Sequence, residues 1–136
     1  MGTLSNTVQA ELLDHVFTTG AWTVRTNLYI ALSKSTLTAA ITGTIAGELS
    51  GGAYRRVTCN TWDAAAGTPG ATENTQPCTF PQATADWGVV TYFAVVDAKT
   101  AATGTVIGWG ALTVTKNVQS GDTARFATGD IDVTLT

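Results

Sequence analysis

The run Val89-Val90-Thr91-Tyr92-Phe93-Ala94-Val95-Val96 restricts this chain more than any other segment. It is rich in β-branched and aromatic residues, which suit a pleated strand. It is far too short to span a bilayer as a helix, which takes about 20 apolar residues. An apolar run without a polar face predicts a central strand covered on both sides. Strict alternation puts Val89, Phe93 and Val95 on one face, and Val90, Ala94 and Val96 on the other.

Such a strand needs partners, and the rest of the chain offers them. Leu28, Ile30 and Leu32 alternate with Tyr29 and Ala31. Tyr54 to Cys59, Cys78 to Phe80, Val106 to Leu112 and Ala124 to Phe126 read as further short strands. Ile131, Val133 and Leu135 alternate with Asp130, Asp132 and Thr134 in a half-buried strand. Gly108 and Gly110 flank Trp109, which signals a bulge or a close backbone approach. The stretch from Thr36 to Gly47 reads as a loop or weak edge strand, and residues 63–76 as the longest loop.

One segment has helical periodicity instead. Val8, Leu12, Leu13, Val16 and Phe17 recur on one stripe, predicting an amphipathic helix from about 6 to 18. Asn6 followed by Gln9 resembles a capping box, and Gly20 is placed for a C-cap. The expected architecture is therefore mainly β. It is a single domain over 1–136: an antiparallel sandwich or barrel-like sheet with strands from about 27 to 135, and one N-terminal helix across an end or face.

Composition narrows the function classes. Thr makes up about a fifth of the 136 residues, and charged residues only 12%. Low charge with many apolar residues argues against disorder. A net charge of −3 with scattered Lys and Arg argues against a nucleic-acid partner. Arg55 and Arg56 are adjacent, so on a strand they face opposite ways and make no continuous basic patch. No membrane segment or targeting signal is visible, and no cofactor or metal motif.

Chemistry-bearing residues are few. His15 has no nearby nucleophile and reads as a partly buried structural side chain. Asp130 and Asp132 share one side of a strand, where a solvated polar face is a better reading than a pair of catalytic carboxylates. Asp122, Asp130 and Asp132 do not match the spacing of a calcium loop. Trp22, Trp62, Trp87 and Trp109 are read as packing or interface residues before a sugar platform. Cys59 and Cys78 flank the long loop. If their strands pair as a hairpin the sulfurs could join in a disulfide; the alternative is two buried thiols.

An ordered set of segments carries a resemblance. These are Glu11-Leu12-Leu13-Asp14-His15, Asn27-Leu28-Tyr29-Ile30-Ala31-Leu32-Ser33 and Glu48-Leu49-Ser50-Gly51-Gly52-Ala53-Tyr54-Arg55-Arg56. Phe80-Pro81-Gln82-Ala83-Thr84-Ala85-Asp86-Trp87-Gly88, Trp109-Gly110-Ala111-Leu112-Thr113 and Ser120-Gly121-Asp122-Thr123-Ala124-Arg125-Phe126 follow. In order and spacing the set resembles short structural proteins of tailed bacteriophages, often labelled tail-fibre-like. The resemblance implies a virion component without enzymatic activity, assembled in the host bacterial cytoplasm.

A chain without repeats or heptads looks like a capsid cement or decoration protein. Such a protein would clamp the major capsid protein and copies of itself, as a trimer. The alternative is a tail or baseplate protein with a host-receptor or glycan-binding role. The expected partner contacts are Val8, Leu12, Leu13 and Phe17 on the helix, with Trp62, Arg55 and Arg56. A small glycan-active enzyme using Asp130 or Asp132 is the remaining class.

Overall fold

A computed structural model describes residues 2–22, 24–67 and 70–135. It is mainly β, with one helix and a curled, mostly antiparallel sheet. The elements are β1 (Gly2–Leu4), α1 (Asn6–Phe17), β2 (Tyr29–Ser33), β3 (Val57–Thr58), β4 (Ala71–Glu73), β5 (Cys78–Thr79), β6 (Gly88–Val96), β7 (Val106–Val118), β8 (Arg125–Phe126) and β9 (Asp132–Thr134). Seven strands form one sheet in the order β3-β2-β6-β7-β1-β9-β4, and β5 pairs with β8 apart from it.

β6 is the central strand that its sequence predicts, between β2 and β7. Its two faces differ from strict alternation. The register with β7 shifts between Val90 and Tyr92, an irregularity in the ladder. Such an irregularity rotates the side chains beyond it. Val90 therefore joins Phe93 and Val95 in the larger core, and Val89 is left half exposed.

That larger core lies under the curl of the sheet. Ile30, Leu32, Val90, Phe93, Val95, Val118, Ile131 and Val133 meet Phe80, Trp87, Cys59 and Cys78 there. An aromatic group sits at its centre. Phe80 stacks on Tyr54 at 6.2 Å and meets Trp87 and Phe126 edge-on at 6.3 and 6.4 Å. The opposite face of β2 and β6 is covered by chain rather than by a second sheet. Leu37, Ile41 and Ile45 from the 36–47 stretch cover Ala31, Ala94, Val96 and Val106. The loop expected there is thus half of the central strands' burial.

The described sheet also contains a strand that the sequence pattern does not reveal. β1 runs antiparallel to β7 and parallel to β9. Three residues are too few to display a period. Gly108 makes room for it: a Cβ there would stand 3.1 Å from the Thr3 carbonyl oxygen. The signal around Trp109 is thereby explained as close backbone approach. β3 is shorter than the predicted Tyr54 to Cys59 run, and β7 extends past Leu112 to Val118.

The helix boundaries agree with the periodicity, but its caps are different residues. Ser5, not Asn6, is the N-cap: its Oγ accepts from the Val8 amide at 3.4 Å. Gln9 reaches back to the Leu4 carbonyl instead of closing a box with Asn6. At the other end Thr18, not Gly20, caps in an extended conformation, its amide donating to the Asp14 carbonyl. Ser5 Oγ also donates to the Val106 carbonyl, and the Ser5 amide to that of Ile107 at 2.9 Å. One buried serine therefore both starts the helix and fixes it to β7.

Candidate interaction surface

Because Ser5 anchors only the N-terminal end, α1 is held along part of its length. Val8 is its one buried residue, at 2% exposure, and Leu12 is half-buried. Beyond them the helix carries Leu13, Val16 and Phe17 at 57, 61 and 79% exposure. These sit at i, i+3 and i+4, so they line one flank of the helix.

In the segment after the helix Trp22 and Val24 are exposed as well. Arg25 holds it in place. Its guanidinium pairs with Glu11 at 2.6 Å and lies 5.7 Å from the centre of the Trp22 ring. His15 faces Trp22 at 6.1 Å and is exposed, not the partly buried side chain expected beside the stripe. The outer side of α1 therefore carries three large apolar side chains on neighbouring turns. Scattered single apolar residues are ordinary on protein surfaces, whereas a cluster marks a place where something can dock.

The other expected contact residues separate into exposed and buried. Arg55 is exposed, but Arg56 is enclosed. Its Nε and Nη2 grip Glu48 at 2.7 and 2.8 Å, with the two side chains 1 and 8% exposed. Nη1 donates to the carbonyls of Ala98 and Thr103, and Nη2 to that of Gly43. Every arm of the guanidinium is used inside the chain, so Arg56 is a clamp between loops and not a partner contact. Val8 is likewise used up in the fold. Trp62 is half-buried, its indole N–H donating to the Cys59 carbonyl at 2.8 Å and its ring packed on the larger core.

Tyr54 belongs to the same clamp. Its hydroxyl accepts from the Leu32 amide and donates to Glu48, and burial pushes its pKa well above the usual phenol range. A tyrosine held so firmly neutral is a structural hydrogen-bond hub, not an acid near neutral pH.

A concavity of about 580 Å³ opens beside β7. Leu32, Val90, Phe93 and Phe126 line it, with exposed Lys116 and Arg125 at its mouth. Asp122 and Asp130 also border it, yet each already closes a turn. Asp122 accepts from the Gln119 amide and Asp130 from the Ala127 amide, at 2.9 and 2.7 Å. Among the described residues, no group of three His, Cys, Asp or Glu side chains is placed to hold a metal ion. No helix among them is long and apolar enough to cross a membrane.

The long loop is organised by Asp63. Its carboxylate accepts from the Glu73 amide and the Thr72 hydroxyl, which hold its pKa below the usual range. A group with a lowered pKa in the folded state stabilises it above the ordinary carboxylate range. That contribution is lost as pH falls through the folded value. Hydrogen exchange at the Glu73 amide should therefore speed up only under acid stronger than an ordinary Asp requires. In Asp63→Ala, which removes the acceptor, it should be fast already at neutral pH. Protection that titrates in the ordinary range would contradict this account.

The comparison with known families adds identity to this geometry. A family described as podophage GP4 fiber I protein gp80 matches residues 3–134. The chain belongs to that family. No curated protein matches it. As a member of the podophage fiber I family it is a structural component of a short-tailed phage particle. The match runs from within β1 to the end of β9 and so includes α1.

Proposed function

We propose that this protein is a non-catalytic subunit of the fibre apparatus on a short phage tail. It is held to a neighbouring virion protein by the outer flank of α1. The family match supports the location, and the observation that carries the docking role is the exposure of Leu13, Val16 and Phe17 on a helix anchored at its other end. Burying such a patch against a partner contributes roughly 1.5–3 kcal/mol per large apolar side chain. Many copies on a symmetric particle add their contacts through avidity.

Capsid decoration is the second reading, with the major capsid protein as partner. It is favoured by the form of the chain. The 12 residues of α1 are fewer than two heptads, too short for a fibre's coiled-coil stalk. The rest is a curled sheet without repeats.

The test is Leu13→Glu with Phe17→Glu. Both positions are exposed, so stability should change by no more than about 0.5 kcal/mol each, while incorporation into particles falls sharply. Full incorporation at unchanged fold would remove the helix flank from the mechanism. Cross-linking on intact particles then separates the two readings. Links to tail proteins at low copy number support the fibre reading, and links to the major capsid protein at high copy number support decoration.

A further inference from the structure

We infer that Cys59 and Cys78 form a redox modification site, closing to an intrachain disulfide when the protein meets a small-molecule disulfide. The two residues arrive by different routes. Cys59 follows β3 and its amide donates to the Leu28 carbonyl at 2.8 Å, on the β2 side of the large sheet. Cys78 opens β5 and lies opposite Phe126 of β8. Their strands do not pair, so the hairpin expected from sequence is absent. Even so, β3 and β5 touch, and the two side chains meet in the larger core at 3 and 2% exposure.

The thiols interact directly. Contact with Cys78 and burial push the Cys59 thiol far above its usual range, while contact with Cys59 lowers the pKa of Cys78. The lowered pKa favours Cys78 as the thiol that starts the exchange. The Cys78 thiol also donates to the Gln76 carbonyl at 3.8 Å, which ties it to the segment before β5.

The exchange balances in two steps. The Cys78 thiolate attacks one sulfur of the external disulfide, forming a mixed disulfide and releasing one thiol. Cys59 then gives up its proton and attacks the Cys78 sulfur, forming the internal bond and releasing the second thiol. Two electrons and two protons pass to the external disulfide, which is reduced to two thiols. Both thiols are buried, so the exchange requires a transient opening beside the connecting segment 60–77, which is exposed along most of its described length.

The bond would fasten to the core the segment that carries β4, an outer strand of the large sheet. Closing a loop of this size raises Tm by about 10 °C. The chemistry is independent of where in the particle the protein sits.

The experiment uses the full chain purified under reducing conditions, then held with oxidised glutathione, unfolded and alkylated. The expected result is loss of both alkylation sites, a mass lower by two hydrogen atoms, and a proteolytic fragment joining Cys59 to Cys78. Tm should rise by about 10 °C and return with dithiothreitol. Persistent alkylation of both cysteines, a lasting glutathione adduct on either, or links only between chains would overturn the assignment. So would a Tm rise that survives in Cys59→Ser.

Discussion

Replacing Arg56 by alanine should cost about 3–5 kcal/mol, since it strands a buried carboxylate. Glu48 would keep its place at 8% exposure without the guanidinium that neutralises it. The carbonyls of Gly43, Ala98 and Thr103 would lose a common donor at the same time. These carbonyls lie in the 36–47 stretch and the β6–β7 turn, which the clamp ties to the β3 side of the sheet. Against a total stability of about 5–15 kcal/mol for a domain, the loss is severe. Urea unfolding should show a lower midpoint, and Tm should fall by roughly 10 °C or more.

Arg56→Lys should lie between wild type and alanine, because an ammonium cannot grip both carboxylate oxygens as a planar fork does. The double change Arg56→Met with Glu48→Leu should be milder than Arg56→Ala, since it removes both charges and leaves apolar volume. A single-variant Tm within about 2 °C of wild type would mean that water replaces the clamp.

Phe80→Ala should cost a comparable amount, about 3–5 kcal/mol, for a different reason. Phe80 touches Tyr54, Trp87 and Phe126, so removing its ring opens a cavity where three aromatic groups converge. Its amide donates to the Ala124 carbonyl, next to a β5–β8 ladder of only two residue pairs. So short a ladder cannot hold its segment to the sheet without the ring. Tryptophan fluorescence should shift red as Trp87 meets water, and Tm should drop together with it. A loss below about 1 kcal/mol would mean that the neighbours collapse into the space.

What could be read from the residues alone follows from how local each interaction is. The β6 run and the helical stripe are periodic within one segment, so both elements were legible. Opposite facing of Arg55 and Arg56 was legible too, because it follows from strand geometry. The use made of Arg56 was not. Its partners other than Glu48 are backbone carbonyls from distant loops, and a carbonyl has no side-chain signature.

Other failures have equally specific causes. Val90 lies on the unexpected face because alternation in β6 breaks where the register shifts between Val90 and Tyr92, and the composition of the run does not mark that point. β1 was missed because three residues carry no period, though Gly108 is the mark left by its close passage. Ser5 took the cap that Asn6 and Gln9 suggested, since its hydroxyl could satisfy the helix and β7 together. For the candidate surface, the helical stripe was correct as an apolar pattern. It could not tell Val8, which is buried, from Phe17, which is exposed, because that depends on where the helix leaves the sheet.

The position of β1 also sets the order of events while the protein is being made. Gly2 pairs with Gly110 on one side and Val133 on the other. On the ribosome, β1 therefore emerges more than a hundred residues ahead of the strands that will flank it. Through most of synthesis the sheet has no place for it, and α1 travels with it, unable to dock on β7. Closure over such sequence distances is intrinsically slow. The nascent chain thus displays its most apolar helix flank longest, during the interval when a chaperone or an assembling neighbour would first meet it.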